Sequence, residues 1–223
     1  MTRIIIQTCR CPNCNRWFNF SSIASCYISG DHNQAIYTDS FDEENPPQIA
    51  ILECPHCATA YWKKNLPISS TYGCGEFRGK SPRASYINNE KISDLVGRNF
   101  WETRDEELAL RMMMWWFLNM PNRKALNYVN ISEVDGIFQE NLVKLLSIID
   151  CTTAHHAIMK AEILREIGMF RECIDWLDYL VLSNINDIKA TGNVSAINTI
   201  MKYAKNNVAI VRKIEKLVCV NFD

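Results

Sequence analysis

Residues 8–18, TCRCPNCNRWF, place three cysteines within six positions, and residues 52–62, LECPHCATAYW, repeat the figure of Cys-Pro-x-Cys followed by aromatic residues. These two stretches decide how the N-terminal part of the chain is read. Cys11 and Cys14 form one C-x2-C pair and Cys54 and Cys57 a second, with 39 residues between the pairs. A C-x2-C turn brings two thiolates to one side of a tight bend, the separation needed for neighbouring vertices of a tetrahedron with Zn–S bonds of about 2.3 Å. Backbone N–H groups of the turn then point at the sulfurs. Pro12 and Pro55 fix φ directly after the first ligand of each pair, which lowers the entropic cost of the bend.

Each pair follows a β-branched run, RIIIQT and PQIAILE, which predicts a strand leading into the turn. Two such turns make a four-sulfur site, so one structural Zn2+ per chain is expected, held by Cys11, Cys14, Cys54 and Cys57. Four sulfurs close the tetrahedron and leave no position for a reacting water. A β domain this small buries too little apolar surface to fold without such a clamp. Cys9 lies close enough to compete for the metal, but its place at the end of the first strand argues against it. His56, inside the second turn, would have to face outward and is not counted as a ligand. Two other readings stand beside the metal. The thiols could be core packing, or CPHC could be a thiol-disulfide site using Cys54 and Cys57, if the following residues form a helix whose N-terminus lowers the pKa of Cys54.

In its spacing, and in the proline of both turns, the doublet resembles the bacterial CpXC-type zinc ribbon. The likeness covers roughly residues 5–68 and implies Cys11, Cys14, Cys54 and Cys57 as ligands; the family's function is largely uncharacterised. Where that family usually has glycine after each second cysteine, this chain has Asn15 and Ala58. Asparagine tolerates a left-handed backbone well, and alanine does so less readily.

Residues 67–100 hold four of the eight glycines and scattered Ser, Pro and Asn, and read as a connector with one short helix near ISDLVG. The acidic DEENPP before the second pair reads as an exposed loop. From residue 101 the pattern becomes helical. TRDEELALRMMMWWFLNM opens with acids, turns apolar nearly all round, and is expected to stop at Pro121. SEVDGIFQENLVKLLSIID follows with a Ser-x-x-Asp start and helical apolar spacing, and three further helical segments complete the chain. Within them, AEILREIGMFRECIDWLDYL resembles one tetratricopeptide-type repeat on Ala161, Gly168, Phe170, Cys173, Trp176 and Leu177. Small Ala161 and Cys173 allow two helices to approach closely, and Gly168 supplies a left-handed turn between them.

The expected architecture is therefore α+β: a small β-rich zinc ribbon over residues 1–66, a connector over 67–100, and an all-α, tetratricopeptide-like bundle over 101–223. Lys and Arg total 24 against 25 Asp and Glu, a net charge of −1, so no bulk attraction draws the chain to nucleic acid or anionic membranes. Neither a signal-like apolar segment nor a membrane-length one is present, and ten cysteines without an export signal point to a reducing compartment, the cytoplasm. His155 and His156 diverge on a helix and read as one surface and one packed side chain. GCGEFRGK lacks the ending of a phosphate-binding loop. A non-enzymatic module that binds another protein through its helical half is the leading expectation. Nucleic-acid binding through Arg10, Arg16, Trp17, Lys63 and Lys64 is the alternative.

Overall fold

The computed structural model describes residues 3–25, 38–39, 50–73, 79–124, 136–183 and 194–211. The chain divides into two compact units, one of residues 1–33 and 48–91, the other of residues 34–47 and 92–223. Small antiparallel sheets occupy the first and helices dominate the second, an α+β composition as the change of sequence period predicts.

In the first unit, β1 (Arg3–Arg10) pairs with β2 (Trp17–Ser25) and with β5 (Ile68–Gly73), giving the order β2-β1-β5. A second sheet has the order β4-β3-β6, from β3 (Ile51–Glu53), β4 (Ala60–Trp62) and β6 (Ser85–Tyr86). Thus β1-β2 and β3-β4 are hairpins, and each carries a Cys-Pro-x-Cys at its tip. Cys9, Phe18, Phe20, Leu52 and Leu66 pack beneath the two tips with Cys11 and Cys54. Residues 67–100, read above as a connector, contribute β5 and β6 to the sheets as well as the short helix α1 (Asn89–Gly97). Strand pairing with β1 orders a stretch whose composition alone resembles a loop. DEENPP lies outside the described residues.

The second unit contains α2 (Arg104–Lys124), α3 (Gly136–Ile148), α4 (Ala154–Glu166), α5 (Phe170–Leu182) and α6 (Val194–Lys205). Pro121 does not stop α2, which runs on to Lys124. The missing N–H costs the bond to the carbonyl of Phe117, and Arg123 reaches back to donate to the carbonyl of Trp116 at 2.7 Å. Helix α3 buries Phe138, Leu142 and Leu145, positions from the predicted stripe, against Trp115 of α2 and Met159 and Ile163 of α4. Its predicted start at Ser132 lies outside the described residues.

Among the described residues, three helices end alike. Asn99, Gly168 and Asn207 adopt φ of 53°, 82° and 53°. In each case the next N–H reaches back five residues, as Phe100 N–H does to the Leu95 carbonyl, Met169 to Leu164 and Val208 to Tyr203. This is the Schellman arrangement, which satisfies otherwise orphaned helix carbonyls. At Gly168 the turn folds α5 back onto α4, and fully buried Ala161 and Cys173 sit in the shared core.

Candidate metal centre

The two hairpin tips have the same backbone. Asn15 N–H donates to the Cys11 carbonyl at 2.9 Å, and Ala58 N–H to the Cys54 carbonyl at 3.0 Å. Cys11 N–H donates to the Arg16 carbonyl at 2.9 Å, and Cys54 N–H to that of Thr59 at 3.0 Å. Asn15 and Ala58 take φ of 63° and 56°, so both second cysteines are followed by a left-handed residue. Alanine adopts this conformation at a cost of about 1–2 kcal/mol, which the rest of the turn must offset.

That geometry brings Cys11, Cys14, Cys54 and Cys57 together, with their sulfurs all within 4.8 Å of one another. Each first cysteine lies beside the second cysteine of the other tip, Cys11 Sγ to Cys57 Sγ at 3.7 Å and Cys14 Sγ to Cys54 Sγ at 3.8 Å. A tetrahedron with metal–sulfur bonds of about 2.3 Å has edges of about 3.8 Å. None of the seven described cysteines forms a disulfide. The group could therefore hold a metal ion, and it is the only such group among the described residues.

Donors already face the sulfurs. Cys14 N–H points at Cys11 Sγ at 3.4 Å and His56 N–H at Cys54 Sγ at 3.5 Å. Hydrogen bonds with the Thr59 side chain and backbone hold the Cys57 thiol down at about 6, while burial pushes Cys54 up to about 12. Burial also raises Cys11, but the Cys14 N–H, the Tyr61 hydroxyl and the Asn13 N–H outweigh it, and its pKa is lowered. A cation would ionise all four, Cys54 included.

Sequence reasoning found the four thiols and missed what joins the tips. Asn13 Nδ2 donates to Thr59 Oγ1 at 3.0 Å, Asn13 N–H donates to Tyr61 Oη at 3.1 Å, and Tyr61 Oη lies 3.3 Å from Cys11 Sγ. At the matching position of the other tip, His56 Nε2 lies 3.1 Å from the Trp17 carbonyl. The variable residue of each Cys-Pro-x-Cys thus reaches across to the opposite hairpin; its place within the turn was the available signal. His56 is used in this way rather than as a ligand. Cys9 is fully buried in β1 opposite Phe18, outside the thiol group, and burial raises its pKa to about 11.

Residues after Cys57 form strand β4 and a short 3-10 turn (Lys63–Asn65), so no helix N-terminus faces Cys54 from that side. Trp17 is 46% exposed beneath the Arg10 guanidinium, whereas Phe18 is buried against the thiols. Lys63 and Lys64 lie over the rings of Phe20 and Trp62. His156 Nδ1 is 2.9 Å from Asp150, and its N–H is capped by Thr153 at the start of α4, so this histidine serves a helix end.

No protein-family model, curated protein or solved structure matches the chain.

Proposed function

We propose that the chain is a non-enzymatic protein-interaction module, in which one structural Zn2+ on Cys11, Cys14, Cys54 and Cys57 holds a CpXC-like ribbon together and the helical unit contacts another protein. The observation that carries the metal part is the pair of 3.7 and 3.8 Å sulfur separations, the edge length of a zinc–thiolate tetrahedron. All four vertices are then cysteine, which favours a structural ion over a catalytic one. Protein purified without chelator should contain about one zinc per chain. Its four ligand thiols should resist alkylation until the protein is denatured. Absence of metal together with a single hyper-reactive thiol would instead favour disulfide exchange at Cys54 and Cys57.

The interaction part rests on the helices. Gly168 at φ 82° and the buried small pair Ala161 and Cys173 support the tetratricopeptide-like reading of α4 and α5. On α5, Tyr179, Val181 and Leu182 are 58%, 58% and 81% exposed, a run of apolar side chains suited to a protein partner. The full chain should retain a partner that Leu182→Glu loses. Retention unaffected by this substitution would reject α5 as the contact.

Nucleic-acid binding is a second reading, favoured by the exposed Trp17 with Arg10 over its ring. It requires retention on single-stranded DNA or RNA that weakens steeply with salt. Flow-through at low salt would end it.

A further inference from the structure

A cleft of about 520 Å3 opens within the helical unit, between the C-terminal end of α1 and the helices α2 and α3. We infer that this cleft is a binding site for a small organic anion, a carboxylate carried on a flat apolar body, with Arg111 and Lys144 as its anion-recognising groups. The inference is independent of the metal centre, which belongs to the other unit.

The volume lies within the usual range for small-molecule sites. Apolar walls come from Val96, Trp101, Met114 and Ile137. Ile137 is 54% exposed although its helix neighbour Phe138 is buried in the core. It fills no core position and forms part of the cleft wall.

Arg111 lines this space yet is only 8% exposed, an unusual burial for a guanidinium. It is held from three sides. Its Nε donates to Glu107 at 2.8 Å, its Nη1 lies 3.4 Å from Asn141 Oδ1, and its guanidinium carbon is 5.2 Å from the centre of the Trp101 ring. Asn141 is itself buried and is fixed by donating to the Arg111 carbonyl at 3.0 Å. Nη2 makes no hydrogen bond among the described residues, and it is not sealed from solvent. A clamped guanidinium with one edge unspent loses little entropy when it binds a carboxylate or another planar oxyanion.

Lys144, exposed on the α3 wall, adds a second cation that forms no ion pair among the described residues. Glu107 is committed to Arg111, which leaves Glu140, one turn before Lys144, as the opposing charge. Arg111 and Lys144 account for the anion, and the aromatic and aliphatic walls account for the flat body. A bare inorganic anion would leave those walls wet.

Calorimetric titration of the full chain with 2-naphthoate, and with 2-naphthamide as its neutral counterpart, tests this. Saturable binding of the carboxylate is expected, with the amide weaker by about tenfold or more. Lys144→Ala should weaken naphthoate several-fold, and Arg111→Lys, which keeps the charge but loses the fork, should weaken it further. Glu140→Gln should tighten it by removing a like charge. Because Lys144 and Glu140 are exposed, these variants keep the fold even if Arg111→Lys does not. No saturation at several millimolar, equal binding of the amide, or unchanged affinity in both Lys144→Ala and Glu140→Gln would overturn the assignment.

Discussion

Arg123 and Asp39, 84 residues apart in sequence, form an ion pair in which both side chains are fully buried. Asp39 also accepts from Asn119 Nδ2 at 3.2 Å, and its carbonyl accepts from Trp116 Nε1 at 3.0 Å. A segment that lies in sequence between the two cysteine hairpins thus supplies a charge to the interior of the helical unit. Taking away one partner leaves the other charged and unsolvated, a loss of about 3–5 kcal/mol. Arg123→Met should lower the denaturation midpoint of the helical unit accordingly. The double variant Asp39→Leu/Arg123→Met should recover much of that loss in a double-mutant cycle. A strictly additive cycle would mean that the pair is not coupled.

Glu166 sits beside this pair and beside a second one, Arg165 with Glu162, also fully buried. Among the described residues, three carboxylates therefore share two guanidinium groups. Asp39 and Glu162 each have an arginine, and Glu166 has N–H donors, Trp115 at 2.6 Å and Asn119 at 3.1 Å. Burial raises its pKa well above the usual carboxylate range, and the neighbouring Glu162 and Asp39 add to this. A raised acid binds more protons folded than unfolded. Its contribution is therefore most favourable below the unfolded value of about 4.3 and is lost as pH rises through the folded value. Glu166→Gln should gain stability relative to the natural chain as pH rises above about 4.3, by at most about 1.4 kcal/mol per pH unit. Parallel stability curves for the two proteins would show that Glu166 ionises normally.

Ala58 carries the backbone strain of the second hairpin tip at φ 56°, where the first tip has Asn15. Ala58→Gly removes the Cβ clash but adds freedom to the unfolded chain, for a net gain of about 0.5–1 kcal/mol. Asn15→Gly should change stability by only a few tenths of that unit. Equal effects at the two sites, measured by metal-loaded denaturation, would contradict the difference in strain.

Metal removal should act on one unit. Chelation, or Cys14→Ser, should abolish amide protection in β1–β4, because Phe18, Phe20 and Leu52 pack beneath the thiols. Helical circular dichroism should persist, since the buried clusters of α2–α6 contain none of the four ligands. Loss of helix in step with metal would show that the two units fold as one.

Much of this was legible in residue order. A C-x2-C pair is a local object, because four consecutive residues with a proline place two sulfurs side by side, and two copies imply a fourfold site. Gly168 likewise announces the turn between α4 and α5, since left-handed backbone favours glycine. Helical periodicity marked the stretch after residue 101 as helical, but gave no sign that residues 34–47 belong to the same unit. Other features depended on partners remote in sequence. Residues 67–100 have loop composition, and only pairing with β1 makes part of them a strand. Pro121 is a helix breaker by local rules, yet α2 continues past it. Of the adjacent rings Trp17 and Phe18, only Phe18 packs against the thiols while Trp17 is exposed, a division that follows from the pairing of β2 with β1. Asp39 carries no signal of its own, because an acid shortly before Asp42, Glu43 and Glu44 looks solvated until Arg123 is brought to it. The residues by themselves determined which thiols can share a metal and where the helices begin to dominate. Tertiary structure alone decided which charges are buried together and where a cleft opens, because burial and pairing are set by side chains that meet only after the chain has folded.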